Sequence, residues 1–285
     1  MQVSTIGVDL AKNVFQVHGV DSAGKSSSLA NRGGAAAICE AVTRPSMRFV
    51  PIKSADQQAL LMLHRTRDLL IRQRTQLINA LRAHLAEFGL VAETGREGLA
   101  QLTAIITDQS NHEALPSAMK QALQAIVDQL AALELQIGTL DRTIHAHHRA
   151  NDMSCRLETV PGIGVIGATA MASTVTDAKD FRTGRDFAAW IGLVPRQHST
   201  GGKERLGGIS KQGDRYLRRL LVIGATAVVR QARQHPQKHP WIMRLLAKKP
   251  AKLVAVAVAN KMARIAWAIM AKGGYYRAPE LAAAA

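Results

Sequence analysis

The sequence predicts a mainly α-helical protein: a short α/β N-terminus, a long coiled-coil stalk and a helical C-terminal domain. Three observations carry that prediction. The chain of 285 residues is 47% hydrophobic but only 4% aromatic. Apolar residues recur at spacings of three and four over two long stretches, and β-branched alternation is confined to the N-terminal end. The length supports a real core and more than one domain. The boundaries expected are 1–53, 54–150 and 151–285.

Ser4–Val8 and Val14–Val20 alternate or run apolar, and Asp21–Lys25 is turn-like. The chain should therefore open on a β-hairpin, with Asp9 at the end of its first strand. Ser22–Gly34 carries little pattern. A short helix is expected over Ala35–Thr43, closed by Pro45, then an extended Met47–Ile52. The first long helix should run from about Ser54 to Phe88. Ser54 and Gln57 stand in capping-box spacing. Leu63, Leu70 and Leu77 repeat every seven residues, with Ile71, Ile78 and Leu85 beside them, and Gly89 and Gly95 end the helix.

Pro116 starts the second long helix. Met119, Leu123, Ile126, Leu130, Leu133, Ile137, Leu140 and Ile144 alternate spacings of four and three without a miss, the pattern of a coiled-coil seam. Such a seam can close an antiparallel hairpin within the chain, serve as a dimerisation stalk, or do both. From Arg156 to Gly213 short elements are joined by glycines. Helices are then expected at Arg215–Gln234 and Lys252–Lys272, on either side of the break His235–Pro240.

The formal net charge is +16 and the pI is near 10.5. That balance disfavours a small-metabolite enzyme and points to a polyanion, either nucleic acid or an acidic membrane surface. The excess is local: from Arg196 onward eighteen Lys/Arg face three acids, Glu204, Asp214 and Glu280. Interleaved with helical apolar residues, it favours a nucleic-acid face over a solvated helix face or a membrane-surface helix. Cys39 and Cys155 are too few and too distant for a disulfide framework or a Cys-rich zinc site, as expected in a reducing, cytoplasmic compartment. Asp9 and Lys12 interrupt the N-terminal apolar stretch, and Lys261 and Arg264 interrupt Leu253–Met270. Neither a signal peptide nor a membrane span is expected.

Three segments carry candidate chemistry. Val160-Pro161-Gly162-Ile163-Gly164, running on to Gly167-Ala168, fits the hairpin of a helix-hairpin-helix. Gly162 and Gly164 let main-chain N–H groups approach a phosphate, and the next helix turns its positive end to the same anion. Such contacts hold the backbone and read no bases; a plain glycine turn is the alternative.

The second segment, Arg196–Lys211, mixes glycines with Arg196, Lys203, Arg205 and Lys211 and offers the hydroxyls of Ser199, Thr200 and Ser210. A hydroxyl there can attack phosphorus if a base removes its proton and cations neutralise the phosphoryl oxygens. Spacing alone favours a linker. His198 adjoins Ser199 but falls on the opposite face of an extended strand.

The third is Asp9, in Ile6-Gly7-Val8-Asp9-Leu10-Ala11-Lys12. RNase H-like nucleases hold one Mg²⁺ ligand at this place, although a turn or cap explains a lone aspartate equally well. Magnesium needs several oxygen ligands converging from several elements. His145, His147 and His148 close the second long helix, where they suit the helix dipole better than zinc.

As a set, in this order, these segments resemble the transposases of the IS-110/IS-1111 insertion-sequence family, bacterial DNA recombinases, over nearly the whole chain. The likeness rests on Gly7–Lys12, the long helices, Pro161–Gly164 and Phe187-Ala188-Ala189-Trp190-Ile191-Gly192-Leu193-Val194-Pro195-Arg196. It continues through Ser199–Lys203 and Gly207–Lys211 to Tyr216-Leu217-Arg218. The resemblance implies a RuvC-like, RNase H-like N-terminal domain with Mg²⁺-binding carboxylates, a coiled coil, and a C-terminal domain with a nucleophilic serine. DNA strands would be cut and rejoined through a covalent phosphoserine, guided by an element-encoded RNA, in a dimer or tetramer built on the coiled coil. Ser199 falls at the nucleophile and Asp9 at the first carboxylate. Lys203, Arg205 and Lys211 would hold phosphates, and Arg196, Arg215 and Arg218 extend that basic set.

The family's aspartate pair and middle-strand glutamate have no counterpart, since the place before Ala35 reads Asn31-Arg32-Gly33-Gly34. Only 46 positions separate Asp9 from Ala55. Five strands of about five residues with crossovers of about ten or more would overrun that space. An internally shortened N-terminal domain is expected, with Mg²⁺-dependent exchange lost or very weak. The alternative is a non-catalytic nucleic-acid-binding protein that dimerises with intact copies.

Overall fold

The computed structural model describes residues 3–11, 14–21, 26–28, 51–107, 116–200, 202–203 and 205–278, the first three ranges by backbone alone. The helix expected at Ala35–Thr43 and most of the extended Met47–Ile52 lie outside them. The chain divides into two compact units, Met1–Pro51 and Ile52–Ala285.

In the first unit β1 (Val3–Ala11), β2 (Val14–Asp21) and β3 (Ser26–Ser28) form an antiparallel sheet in the order β1-β2-β3. The expected hairpin is present, with two corrections. Asp9 is internal to its strand, opposite Gln16, because the ladder runs on through Leu10 and Ala11 to the turn. Ser26–Ser28, with no apolar pattern to announce it, adds a strand by pairing with His18–Val20.

The second unit is helical: α1 (Ala55–Ala86), α2 (Arg96–Thr107), α3 (Ser117–Ala150), α4 (Asp152–Glu158), α5 (Val165–Thr174) and α6 (Gly184–Trp190), then α7 (Arg215–Gln234), α8 (Pro240–Leu246) and α9 (Ala251–Lys272). Between α6 and α7 a two-stranded hairpin, β4 (Pro195–Gln197) and β5 (Leu206–Ile209), replaces the expected glycine-rich loop. Two helices went unread in the sequence. α2 follows Gly95, taken only as a terminator, and α8 begins at Pro240, whose fixed φ suits a first helical turn as well as a break.

Ser54 caps α1 with both halves of the expected box: its Oγ accepts from the Gln57 amide at 3.2 Å, and Gln57 Oε1 accepts from the Ser54 amide at 3.0 Å. α1 and α3 pack on each other. Leu123, Leu130, Leu133, Ile137 and Ile144 of the α3 seam are buried within this chain, and Leu81, Leu85, Leu102 and Ile106 join the first two of them in one core. On α1 the inward line differs from the predicted one. Leu60, His64, Leu81 and Leu85 are buried, whereas Leu63, Leu70 and Leu77 are half-buried. The inward positions, 60, 64, 67, 71, 74, 78, 81 and 85, keep the four-three spacing of α3, but three of them are His64, Arg67 and Arg74.

α9 is the centre of the C-terminal core, packed on α7, α6, α4 and α8. By length and composition it is a helix able to cross a membrane, despite Lys261 and Arg264. Its apolar face, Val254, Val258, Met262 and Ile269, is buried against Leu217, Leu221, Phe187 and Ile191.

Candidate nucleic-acid interface

The hairpin that carries Ser199 stands on a rigid base. Thr183 caps α6 by accepting from the Asp186 amide, and Phe187, Ala188, Ile191 and Leu193 are fully buried, so these four residues anchor the Phe187–Arg196 block in the core. The turn after α6 meets the turn before α7 backbone to backbone. A Cβ on Gly192 would stand 2.1 Å from the Gln212 carbonyl oxygen, and one on Gly213 only 1.7 Å from that of Trp190. Arg218 ties both turns: its Nη1 donates to the carbonyls of Ile191 and Gln212, each at 2.7 Å. The Ser210 amide donates to Val194 at 2.8 Å and the Lys211 amide to Gly192 at 3.2 Å. Lys211 adopts a left-handed backbone, φ 58°, uncommon for a residue with a Cβ.

Outward from that base the hairpin is polar. The His198 amide donates to the Arg205 carbonyl at 2.7 Å, and the Lys203 amide to the Thr200 carbonyl at 3.1 Å. Ser199 is half-buried; its Oγ accepts from the Arg205 amide at 3.1 Å. That bond fixes the oxygen and leaves the hydroxyl proton available to a base. The His198 ring lies against Gly207 across the hairpin, 3.1 Å from where a Cβ would be. Arg196, Lys203, Arg205, Lys211 and Arg215 are exposed, with Arg196 Nη2 donating to the Ser210 carbonyl at 3.2 Å. The predicted cations thus lie exposed along the segment that carries Ser199 and at the start of α7, whereas the Nη1 of Arg218 is engaged by the fold. Ser210 Oγ is buried without a hydrogen-bond partner.

Two short helices, α4 and α5, flank the Val160–Gly164 turn, with Gly164 at the N-cap of α5 and open space beside it. Gly162 has φ +89°, and the face where its side chain would be lies against α7 and α9: a Cβ would meet Val228 Cγ2 and Met262 Cε at 2.8 Å. Its close approach is to protein; Gly164 keeps the outward position. At the end of α3, His148 is buried between Ser154 Oγ at 2.8 Å and Glu158 Oε2 at 2.9 Å. Ser154 is 1% exposed, so this Ser-His-carboxylate chain fastens α3 to α4 and has no access to a substrate.

The sequence that builds this arrangement is similar to known proteins. Residues 154–239, from α4 through the hairpin to the end of α7, match the model described as "Transposase IS116/IS110/IS902 family". A Pseudomonas aeruginosa protein named "Probable family 20 transposase" is 43% identical over 337 aligned positions, covering 97% of this chain and 99% of the relative. The chain belongs to the IS116/IS110/IS902 transposase family. This family member is also similar to the transposase for insertion sequence element IS1328 of Yersinia enterocolitica, at 41% identity over 84% of the chain and 71% of the relative. For IS1111A of Coxiella burnetii the figures are 37%, 87% and 68%.

A resident Mg²⁺ makes a specific demand on the donor side chains. An octahedral shell of hard oxygens needs converging carboxylates. Among the described residues no group of three or more His, Cys, Asp or Glu could hold a metal ion. Asp9 lies mid-strand, paired through its backbone opposite Gln16, and the described side chains do not fit a resident Mg²⁺.

Proposed function

We propose that the chain is a DNA-binding transposase of an insertion sequence whose β4–β5 hairpin presents Ser199 to a phosphodiester. The observation that supports it most is the Ser199 hydroxyl anchored on the Arg205 amide amid exposed cations, on a hairpin fixed at its base by Arg218. In the reaction, Ser199 Oγ attacks phosphorus while the bond to one deoxyribose oxygen breaks. The hydroxyl proton leaves to a base, and the departing oxygen takes a proton. The phosphoserine ester stores the bond, so reversing the step on a new strand end rejoins DNA without an energy source. Lys203, Arg205 and Lys211 neutralise the phosphoryl oxygens. A guide RNA encoded by the element is a second polyanion for the same basic face.

In this reading strand exchange is weak because the N-terminal carboxylate set is incomplete. The alignment with the Pseudomonas relative runs over 337 positions, more than the 285 residues of this chain, so part of it faces gaps here. That is consistent with a shortened RuvC-like domain around Asp9, and with Mg²⁺-dependent activity lost or very low. A non-catalytic reading keeps the same interface and drops only the chemistry. Mixed assembly with intact copies would then fall to outward faces of α1 and α3, where Met62, Leu69 and Leu135 are exposed, since the Met119–Ile144 seam is used within the chain.

The test is a denaturing gel with end-labelled duplex DNA. A protein–DNA adduct that disappears in Ser199→Ala while duplex binding is retained supports the serine reading. Binding without any adduct supports the non-catalytic one.

A further inference from the structure

Beside the Ser199 hairpin lies a groove of about 990 Å³, at the upper end of ordinary ligand sites. One wall is the hairpin itself, through Pro195, Gly208 and Ile209; the other is α9, through Val256, Ala257 and Lys261. Its charged lining residues are Arg185, Lys261 and Arg264, and no carboxylate is among them. Lys261 Nζ lies 4.3 Å over the ring of Trp241 at the groove's edge. At Gly208 a Cβ would stand in open space, so that wall is bare backbone.

A duplex presents phosphates outward and keeps the faces of its bases stacked. An apolar floor with a cationic rim suits the reverse: unpaired bases inside, their phosphates on the rim. The groove is continuous with the hairpin, because β4 and β5 form its wall and the same hairpin carries Ser199. We propose that this groove takes unpaired bases of the DNA strand adjoining the phosphodiester at Ser199. The assignment to DNA rests on the serine reading above; the chemistry of the groove itself does not.

The test measures fluorescence anisotropy of the full chain with a labelled single-stranded oligodeoxynucleotide, its duplex and RNA of the same sequence. Gly208→Trp, which fills the groove from a position with room for a side chain, should weaken single-strand binding by about tenfold or more and duplex binding by less than about twofold. Lys261→Ala removes an exposed rim charge together with its contact over the Trp241 ring, so it serves if the tryptophan variant fails to fold. It should reduce the salt slope for the single strand by about 0.7 and leave the duplex slope unchanged. Failure of the wild-type chain to retain single-stranded DNA overturns the proposal, as does equal loss on duplex and single strand, or preference for RNA. Absence of a serine adduct with the Gly208→Trp effect intact removes the serine reading alone; the converse removes the groove alone.

Discussion

His64 on α1 accepts a hydrogen bond from the hydroxyl of Tyr216 on α7, 3.2 Å from its Nδ1. Its other nitrogen lies 3.1 Å from Thr169 Oγ1 on α5. The Thr169 hydroxyl donates to the Val165 carbonyl at 2.8 Å, so Nε2 carries the imidazole proton and Nδ1 is bare. A neutral histidine thus joins the stalk helix to two helices of the C-terminal core. Around it Arg67 pairs with Asp141 on α3, and Asp68 pairs with Arg219 on α7. Burial, with help from the Arg67 charge and against that of Asp141, lowers the His64 pKa to about 4. Burial likewise raises that of the Tyr216 phenol.

Stability should therefore fall on mild acidification. The unfolded chain takes up a proton at His64 near the ordinary imidazole value of 6.5, which the folded chain refuses until about 4. Above that window both states are neutral and His64 adds no slope; through it the native state loses up to about 3 kcal/mol. Urea unfolding from pH 7.5 down to 4.5 measures this. His64→Leu should remove that part of the slope, and an identical slope in the variant rules out His64 as its source.

Gly224→Ala should destabilise although it lies inside a helix. Alanine normally gains about 1 kcal/mol over glycine there. Here the added Cβ would stand 1.8 Å from the Gly162 carbonyl oxygen. Forcing α7 off the α4–α5 turn should cost about 1–3 kcal/mol, read as a lower thermal midpoint.

Arg218 separates structure from binding. With Nη1 bonded to two carbonyls, Arg218→Ala should lower stability by about 2 kcal/mol and leave the salt slope of duplex binding unchanged. Arg218→Lys should not restore the lost stability, because an ammonium lacks the planar fork. A reduced salt slope would place this side chain on DNA instead.

Lys203, Arg205, Lys211 and Arg215 should behave the opposite way. Each phosphate contact contributes about 0.9 to the slope of log affinity against log salt on a duplex. Replacing all four with alanine should flatten the slope by about 3 to 4, while folding stability changes by less than about 0.5 kcal/mol each, as for exposed positions. Arg205→Ala keeps the backbone amide that holds Ser199, so it should weaken binding and adduct formation without releasing the Ser199 hydroxyl.

Periodicity and charge alone were enough for much of this protein. The capping box at Ser54, the seam from Met119 to Ile144 and the cationic last third are local patterns, readable because helix spacing and charge do not depend on distant contacts. What only the tertiary structure decided is where polar residues enter the packed faces. The inward line of α1 runs through His64, Arg67 and Arg74, and no local rule marks these as interior. His64 and Arg67 are admitted because Tyr216, Thr169 and Asp141, far off in sequence, satisfy them. The same holds at the site: the glycines of Arg196–Lys211 read as linker until Gly192 and Gly213 bring two turns together and Arg218 clamps them. A buried polar group is stable only with its partner, and a hairpin only on its base, and both are supplied across the fold.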